Sequence, residues 1–314
     1  MSRFQKARPK GFNINGWLVL DKIQGMTSTQ AVGMGKRLFQ AKKTGHAGTL
    51  DPLATGILPM AFGEATKTVP YVVGGAKAYR FTVRWGEERD TDDAEGQVTQ
   101  QSAERPAQPA IEQASKAFIG EILQTPPRYS AIKIDGERAY DLARDGEHVE
   151  LQARPVTIDR LMLVEMPDPH TSVFEAECGK GTYVRAIARD MGRMLGCLGH
   201  VIQLRRTRVG PFDEAQAITV AQLHALADAA TTPDGLVALR ALLQPVEAAL
   251  GNIPGITVNG SDAARLKRGQ PVLLLGRDAP VITGQAYALC RGQLIAIGEI
   301  GQGEFNPVRV FNYG

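Results

Sequence analysis

The stretch Gly45-His46-Ala47-Gly48-Thr49-Leu50-Asp51-Pro52-Leu53-Ala54-Thr55-Gly56 holds the residues of this chain best suited to chemistry. Proline at 52 pushes the backbone of Asp51 into an extended conformation, and the glycines on both sides let the chain pass close to another body. A carboxylate presented in this way can attack an electrophilic carbon or stabilise positive charge developing beside it. The competing reading is a turn aspartate that only bonds nearby backbone N–H groups. The length and glycine content of the segment from Thr44 to Gly63 favour the chemical role, because long loops inside a domain are usually functional.

Other common signatures are missing. The chain has no G-x-x-x-x-G-K-[ST] phosphate loop, and Gly33-Met34-Gly35 runs on into Lys36 and Arg37 within a helical pattern, so it is no dinucleotide fingerprint. The five histidines never stand at metal-ligand spacing, and neither H-E-x-x-H nor G-x-S-x-G occurs. ATP, NAD and zinc chemistry lose ground, and no metal or cofactor is expected. Cys178, Cys197 and Cys290 are odd in number and far apart, which argues against a disulfide framework and fits a reducing cytoplasm. No apolar run approaches the roughly 18–20 residues of a membrane span, and no hydrophobic segment follows the basic N-terminus as in a secretory signal.

The elements that must position Asp51 can be read from periodicity. Gly16 to Asp21 reads as a short buried strand, and Thr27-Ser28-Thr29 offers hydroxyl caps for a helix with Val32, Leu38 and Phe39 facing inward. Strict alternation from Lys77 to Trp85 puts Tyr79, Phe81, Val83 and Trp85 on one face of a strand. Further strands are expected at Val156 to Val164, Ser172 to Cys178 and His200 to Val209. Helices are expected at Ala110 to Phe118, after a Thr182 cap with Tyr183, Ile187 and Met191 at i, i+4 and i+8, and at Thr219 to Ala229. Residues 126–153 mix proline, glycine and charge and read as an excursion from the main sheet; Gln244 to Gly255 reads as a linker. Beyond it, short apolar runs separated by glycines imply a small β-barrel.

At 314 residues the chain suggests two domains, and its formal net charge of +3 hides strong segregation. Residues 1–43 carry nine basic side chains and one acidic one, Arg205, Arg206 and Arg208 form a second basic cluster, and Glu87 to Glu95 is acidic around a lone Arg89. Such segregation suits a protein with one polyanion-binding face.

The segment from Gly45 to Pro59 resembles the catalytic loop of the TruB family of pseudouridine synthases. Four more segments resemble that family in the same order: Lys77 to Phe81, Asp90 to Gly96, Lys180 to Arg185 and Leu204 to Phe212. The resemblance runs from about Gly11 to Phe212, and the C-terminal piece is similar in size and texture to the family's RNA-binding PUA domain. It implies an α+β fold: a mixed, mostly antiparallel sheet flanked by helices over residues 1–250, then a small PUA-like β-barrel over 251–314.

It also implies an RNA isomerase that converts uridine to pseudouridine at position 55 in the T loop of tRNA, without a cofactor and with the target base flipped out. Asp51 would be the catalytic aspartate and Arg185 the arginine that pairs with it and orients it. Tyr79 and Tyr183 would contact the base and Leu204 would wall its pocket, although each also suits core packing. His46 would support the displaced nucleotide, since an imidazole can stack on a nucleobase. The basic N-terminus, the Arg205/Arg206/Arg208 group, the 126–153 excursion and the C-terminal basic residues would grip RNA. A cytoplasmic monomer without an obligatory protein partner is the expected form. A non-enzymatic RNA binder would have no need of the Asp51–Arg185 pair. A glycosidase would need a second carboxylate, for which Asp90, Asp92 and Asp93 are the candidates. A guide-RNA-dependent synthase would carry longer basic tails.

Overall fold

The computed structural model describes residues 11–130, 133–134, 137–138, 151–230, 233–274 and 282–313. Its first half runs β1 (Gly16–Lys22), α1 (Ser28–Leu38), β2 (Thr44–His46), β3 (Thr55–Phe62), α2 (Val69–Gly74), β4 (Lys77–Trp85), β5 (Glu87–Arg89), β6 (Val98–Gln101), α3 (Gln108–Lys116) and β7 (Gly120–Gln124). The short strands β8 (Lys133–Ile134) and β9 (Glu137–Arg138) pair with each other. Then follow β10 (Arg154–Asp168), β11 (Thr171–Cys178), α4 (Val184–Met194), β12 (Gly199–Val209), β13 (Phe212–Asp213), β14 (Ile218–Thr219), α5 (Val220–Ala229) and α6 (Pro233–Arg240). The C-terminal piece holds β15 (Gly255–Thr257), α7 (Gly260–Lys267), β16 (Val272–Leu273), β17 (Gly284–Cys290), β18 (Gln293–Gly301) and β19 (Glu304–Val310).

The main sheet runs in the order β14-β1-β3-β12-β4-β11-β10-β7, with β2 added on β3 and β13 on β12. Only β1 with β14 and β12 with β3 pair in parallel, so the sheet is mixed and mostly antiparallel, as expected. Phe81, Val83 and Trp85 of β4 turn to the side covered by α1, α3 and α4, where they share a core with Phe39, Phe174, Ile187 and Met191. Trp85 Nε1 donates to Ser172 Oγ at 2.9 Å, so the buried indole keeps its hydrogen bond. On the opposite face Trp17, Ile57 and Phe212 pack with Val246 and Leu250 and with Leu294, Ile297 and Phe311 of the C-terminal piece. That piece is a curled five-stranded sheet, β15-β17-β18-β19-β16, which forms the expected small barrel-like unit as a half-barrel among the described residues. Lys67 donates to the Val310 carbonyl at 2.9 Å and Asn312 N–H donates to Glu64 at 2.7 Å, tying this sheet to the main body.

Several local expectations are corrected. The segment from Thr44 to Gly63 is not one loop: β2 and the eight-residue β3 occupy its ends. β3 is buried on both faces, from Gly56 through Phe62, so it lacks the alternation that betrays a half-exposed strand. The expected linker holds a 3-10 turn, Val246–Leu250, whose Val246, Ala249 and Leu250 are core residues. The inward face of α1 is Ala31, Met34 and Gly35 rather than Val32. Most of the 126–153 excursion lies outside the described residues, as do Arg3, Lys6, Arg8, Lys10 and Arg277.

Candidate active site

Asp51 sits in the short connection from β2 to β3, which is anchored on every side. Ser28, at the start of α1, accepts from Leu50 N–H at 2.9 Å and donates to the Leu50 carbonyl at 3.1 Å. Gly25 N–H donates to the Pro52 carbonyl at 2.8 Å, and Ala54 N–H to that of Asp51 at 3.1 Å. Leu50, Leu53 and Ala54 point into the core. The buried Lys22 ammonium donates to the carbonyls of Ile23, Met26 and Pro52. Burial pulls this lysine down to about 8, against the opposing pull of Asp51. Between these anchors the Asp51 side chain remains open.

Arg185 Nη2 meets Asp51 Oδ2 at 2.9 Å. The guanidinium comes from the first turn of α4 and is held by more than the carboxylate: Nη1 donates to the Thr91 carbonyl at 2.7 Å and Nη2 to that of Tyr129 at 2.9 Å. Asp93 Oδ2 lies 3.5 Å from Nη1. Arg189 and Arg193, one and two turns further along α4, pair with Asp92 at 2.8 Å and Glu88 at 2.6 Å. The acidic run is therefore docked along one helix face rather than left as a free turn. Burial pushes the Asp92 carboxyl up to about 6 despite its arginine partners. Asp93 shares the Arg185 guanidinium with Asp51 but is buried behind it, Asp92 pairs with Arg189 and Asp90 accepts from Gln97 N–H, so none of the three candidates for a glycosidase's second carboxylate lines the cavity beside Asp51.

A cavity of about 280 Å³ opens beside Asp51, close to the ~300 Å³ lower end for small-ligand sites. Its walls include Asp51, Tyr79, Tyr183, Arg185 and Leu204, so five of the six site residues expected from the sequence converge on one space. Tyr79 and Leu204 come from the adjacent strands β4 and β12. The Tyr183 backbone is gripped by Gln124, which accepts from its N–H at 2.8 Å and donates to its carbonyl at 3.2 Å. Burial raises both tyrosine hydroxyls above their ordinary range; for Tyr79 the neighbouring Arg206 guanidinium acts in the opposite sense. Tyr183, not Thr182, caps α4, since the Thr182 hydroxyl is turned to the Thr157 carbonyl.

His46 is the sixth residue and does not line the cavity. It lies on β2 opposite Met60, half-buried, and burial together with the charge of Arg206 moves its imidazole below the ordinary value. The Arg205/Arg206/Arg208 group is not a free phosphate grip. Arg205 pairs with Asp21 at 2.9 Å and Glu214 at 2.6 Å, and Arg208 pairs with Glu177. Arg206 turns inward and is 1% exposed. Sequence reasoning missed Lys22, Ser28 and Arg206 as supports of the loop, because their partners on it are backbone carbonyls and N–H groups, which residue type does not reveal. Exposed positive charge is found instead at Lys36, Arg37, Lys42 and Lys43, and at Arg265, Lys267, Arg268, Arg291 and Arg309.

Residues 36–184 match the family described as TruB family pseudouridylate synthase (N terminal domain), and residues 185–251 match the tRNA pseudouridylate synthase B C-terminal domain. The chain is 62% identical over 300 residues to tRNA pseudouridine synthase B of Bradyrhizobium diazoefficiens, covering 96% of this chain and 86% of that protein. It is 56% identical over 307 residues to tRNA pseudouridine synthase B of Agrobacterium fabrum, covering 98% of each. Among solved structures, a Cbf5-Nop10-Gar1 complex is similar with a TM-score of 0.73 at 25% identity, over 99% of this chain and 92% of that one. An archaeal box H/ACA sRNP Nop10-Cbf5 complex shares the fold with a TM-score of 0.71 at 23% identity, over 99% of this chain and 93% of that one. With matched regions that together span more than half its length, and with relatives this similar, the chain belongs to the TruB family of pseudouridine synthases.

Proposed function

We propose that this protein converts uridine to pseudouridine at position 55 in the T loop of tRNA, using the Asp51 carboxylate and no cofactor. One observation carries the reading: a carboxylate paired with a buried guanidinium stands open to a cavity walled by Tyr79, Tyr183 and Leu204. The isomerisation breaks the C1′–N1 bond, turns the uracil and rejoins C1′ to C5; the C5 proton is lost and N1 gains one. No electrons are exchanged, so no redox cofactor is required. Asp51 serves as nucleophile or as the charge that stabilises the ribose, Arg185 holds it in place, and the two tyrosines and Leu204 hold the ring. A base inside a folded RNA cannot reach such a cavity unless it is flipped out. His46, on β2 and away from the cavity lining, supports the displaced nucleotide from outside the pocket.

In this reading residues 1–250 form the catalytic unit, with the excursion of about 126–153 contacting RNA. Residues 251–314 form a PUA-like unit whose exposed Arg265, Lys267, Arg268, Arg291 and Arg309 face another part of the tRNA. The protein works as a monomer in the cytoplasm and needs no protein partner. The test is to map pseudouridine, at nucleotide resolution, in a tRNA pool lacking this modification, with and without the purified protein. Pseudouridine should appear at position 55; modification confined to other positions, or none, overturns the assignment.

A further inference from the structure

We propose that Arg206 is a positioning residue for this reaction: its guanidinium ties together the two ends of the Asp51 loop and seats the Tyr79 hydroxyl at the cavity. The inference rests on the function proposed above. Arg206 Nε donates to the Ile57 carbonyl at 2.8 Å, Nη1 to that of Thr49 at 3.3 Å and Nη2 to that of Gly48 at 3.1 Å. Gly48 and Thr49 precede Asp51 and Ile57 follows it, so one planar group spans the entry and the exit of the loop. Five N–H donors in a fixed fork suit this task; a lysine's three donors radiate from a single nitrogen and cannot reach both sides.

The surroundings leave the loop little freedom. Gly48 and Gly56 have φ of 94° and 97°, and a Cβ on Gly56 would collide with the Arg206 carbonyl oxygen. Arg206 also lines the cavity, beside Tyr79. No carboxylate forms a salt bridge with it among the described residues, whereas the neighbouring Arg205 has two such partners and Arg208 has one. Burying a cation with only neutral partners, carbonyls and a tyrosine hydroxyl, is costly, and an apolar side chain would avoid that cost. The geometry accounts for its presence: the guanidinium fixes the loop that carries the carboxylate, and its charge faces Asp51 and Tyr79.

The experiment compares wild type, Arg206→Lys and Arg206→Gln by steady-state kinetics on tRNA, tRNA binding and thermal melting. A misplaced reacting group can cost about 10²-fold in rate, so kcat should fall by about that factor in both variants while KM and tRNA affinity stay within about twofold. Full kcat in Arg206→Lys, or a loss carried by KM and binding, overturns the proposal. If the variants do not fold, wild-type protein decides by NMR: the Arg206 Nε proton should exchange slowly and its guanidinium should not rotate freely, and fast exchange with free rotation overturns the clamp. A wild type that binds tRNA but forms no pseudouridine defeats the proposed function instead, and the same NMR measurement then decides the clamp.

Discussion

Arg185 and Asp51 meet at 2.9 Å with opposite exposures: the guanidinium side chain is 5% exposed and the carboxylate side chain 38%. The cation is held by the Thr91 and Tyr129 carbonyls, so the carboxylate has a fixed partner on one side and free space on the other. A pair buried on both sides would stabilise the fold without reaching a substrate.

Replacing Asp51 by Asn keeps the shape of the side chain and removes its charge. Loss of a principal reacting group should lower isomerisation by at least about 10³-fold. Tritium release from [5-³H]uridine-labelled tRNA measures this directly, with tRNA binding as the control. Release at the wild-type rate would remove Asp51 from the mechanism.

Arg185→Met acts on stability as well as rate. It strips the guanidinium from Asp93, whose side chain is 3% exposed, and leaves the Thr91 and Tyr129 carbonyls without that donor. Breaking a buried pair in this way costs about 3–5 kcal/mol. Urea unfolding should show a loss of unfolding free energy of that size, read from a lower midpoint at unchanged slope; a loss smaller than about 1 kcal/mol would contradict the packing described here.

His46 couples pH to stability with a definite sign. Its folded-state value lies below the ordinary imidazole value of 6.5, chiefly because of burial and then because of Arg206. Just below 6.5 the unfolded chain therefore binds more protons than the folded one, and this contribution falls as pH drops and is fully present above 6.5. Urea midpoints measured between about pH 5 and about pH 7 should vary less in His46→Gln than in wild type. An identical pH dependence in the two proteins rules the effect out.

Two glycines of the Asp51 segment should behave differently. Gly56→Ala places a Cβ against the Arg206 carbonyl at a positive φ and should cost at least about 2 kcal/mol. Gly45 has no positive φ and nothing near its would-be Cβ, so Gly45→Ala should be close to neutral in a thermal melt. Equal destabilisation by both changes would refute the close approach at Gly56.

Residues with one face on the core could be read from the chain alone. Lys77 to Trp85 alternates because one side meets α3 and α4 and the other meets solvent, and β4 has those same ends. β3 was hidden because both of its faces are buried, and the glycine and proline at 56 and 59 disguise it further. The supposed linker was misread because the partner of Val246 and Leu250 is Trp17, far away in the chain. Local composition carries no trace of such a contact.

The same distinction holds at the site. Asp51-Pro52 among glycines, and Tyr79, Tyr183, Arg185 and Leu204 within ordered motifs, are legible in the amino-acid order because residue type and neighbouring residues define them. That Asp51 is open and Arg185 buried, that Asp92 and Asp93 serve arginines of α4, and that Arg206 turns inward while Arg205 and Arg208 stay at the surface are decided by the tertiary structure. Charge type is a property of the chain, whereas a charge's partners and solvent access follow only when β3, β4, β12 and α4 come together around it.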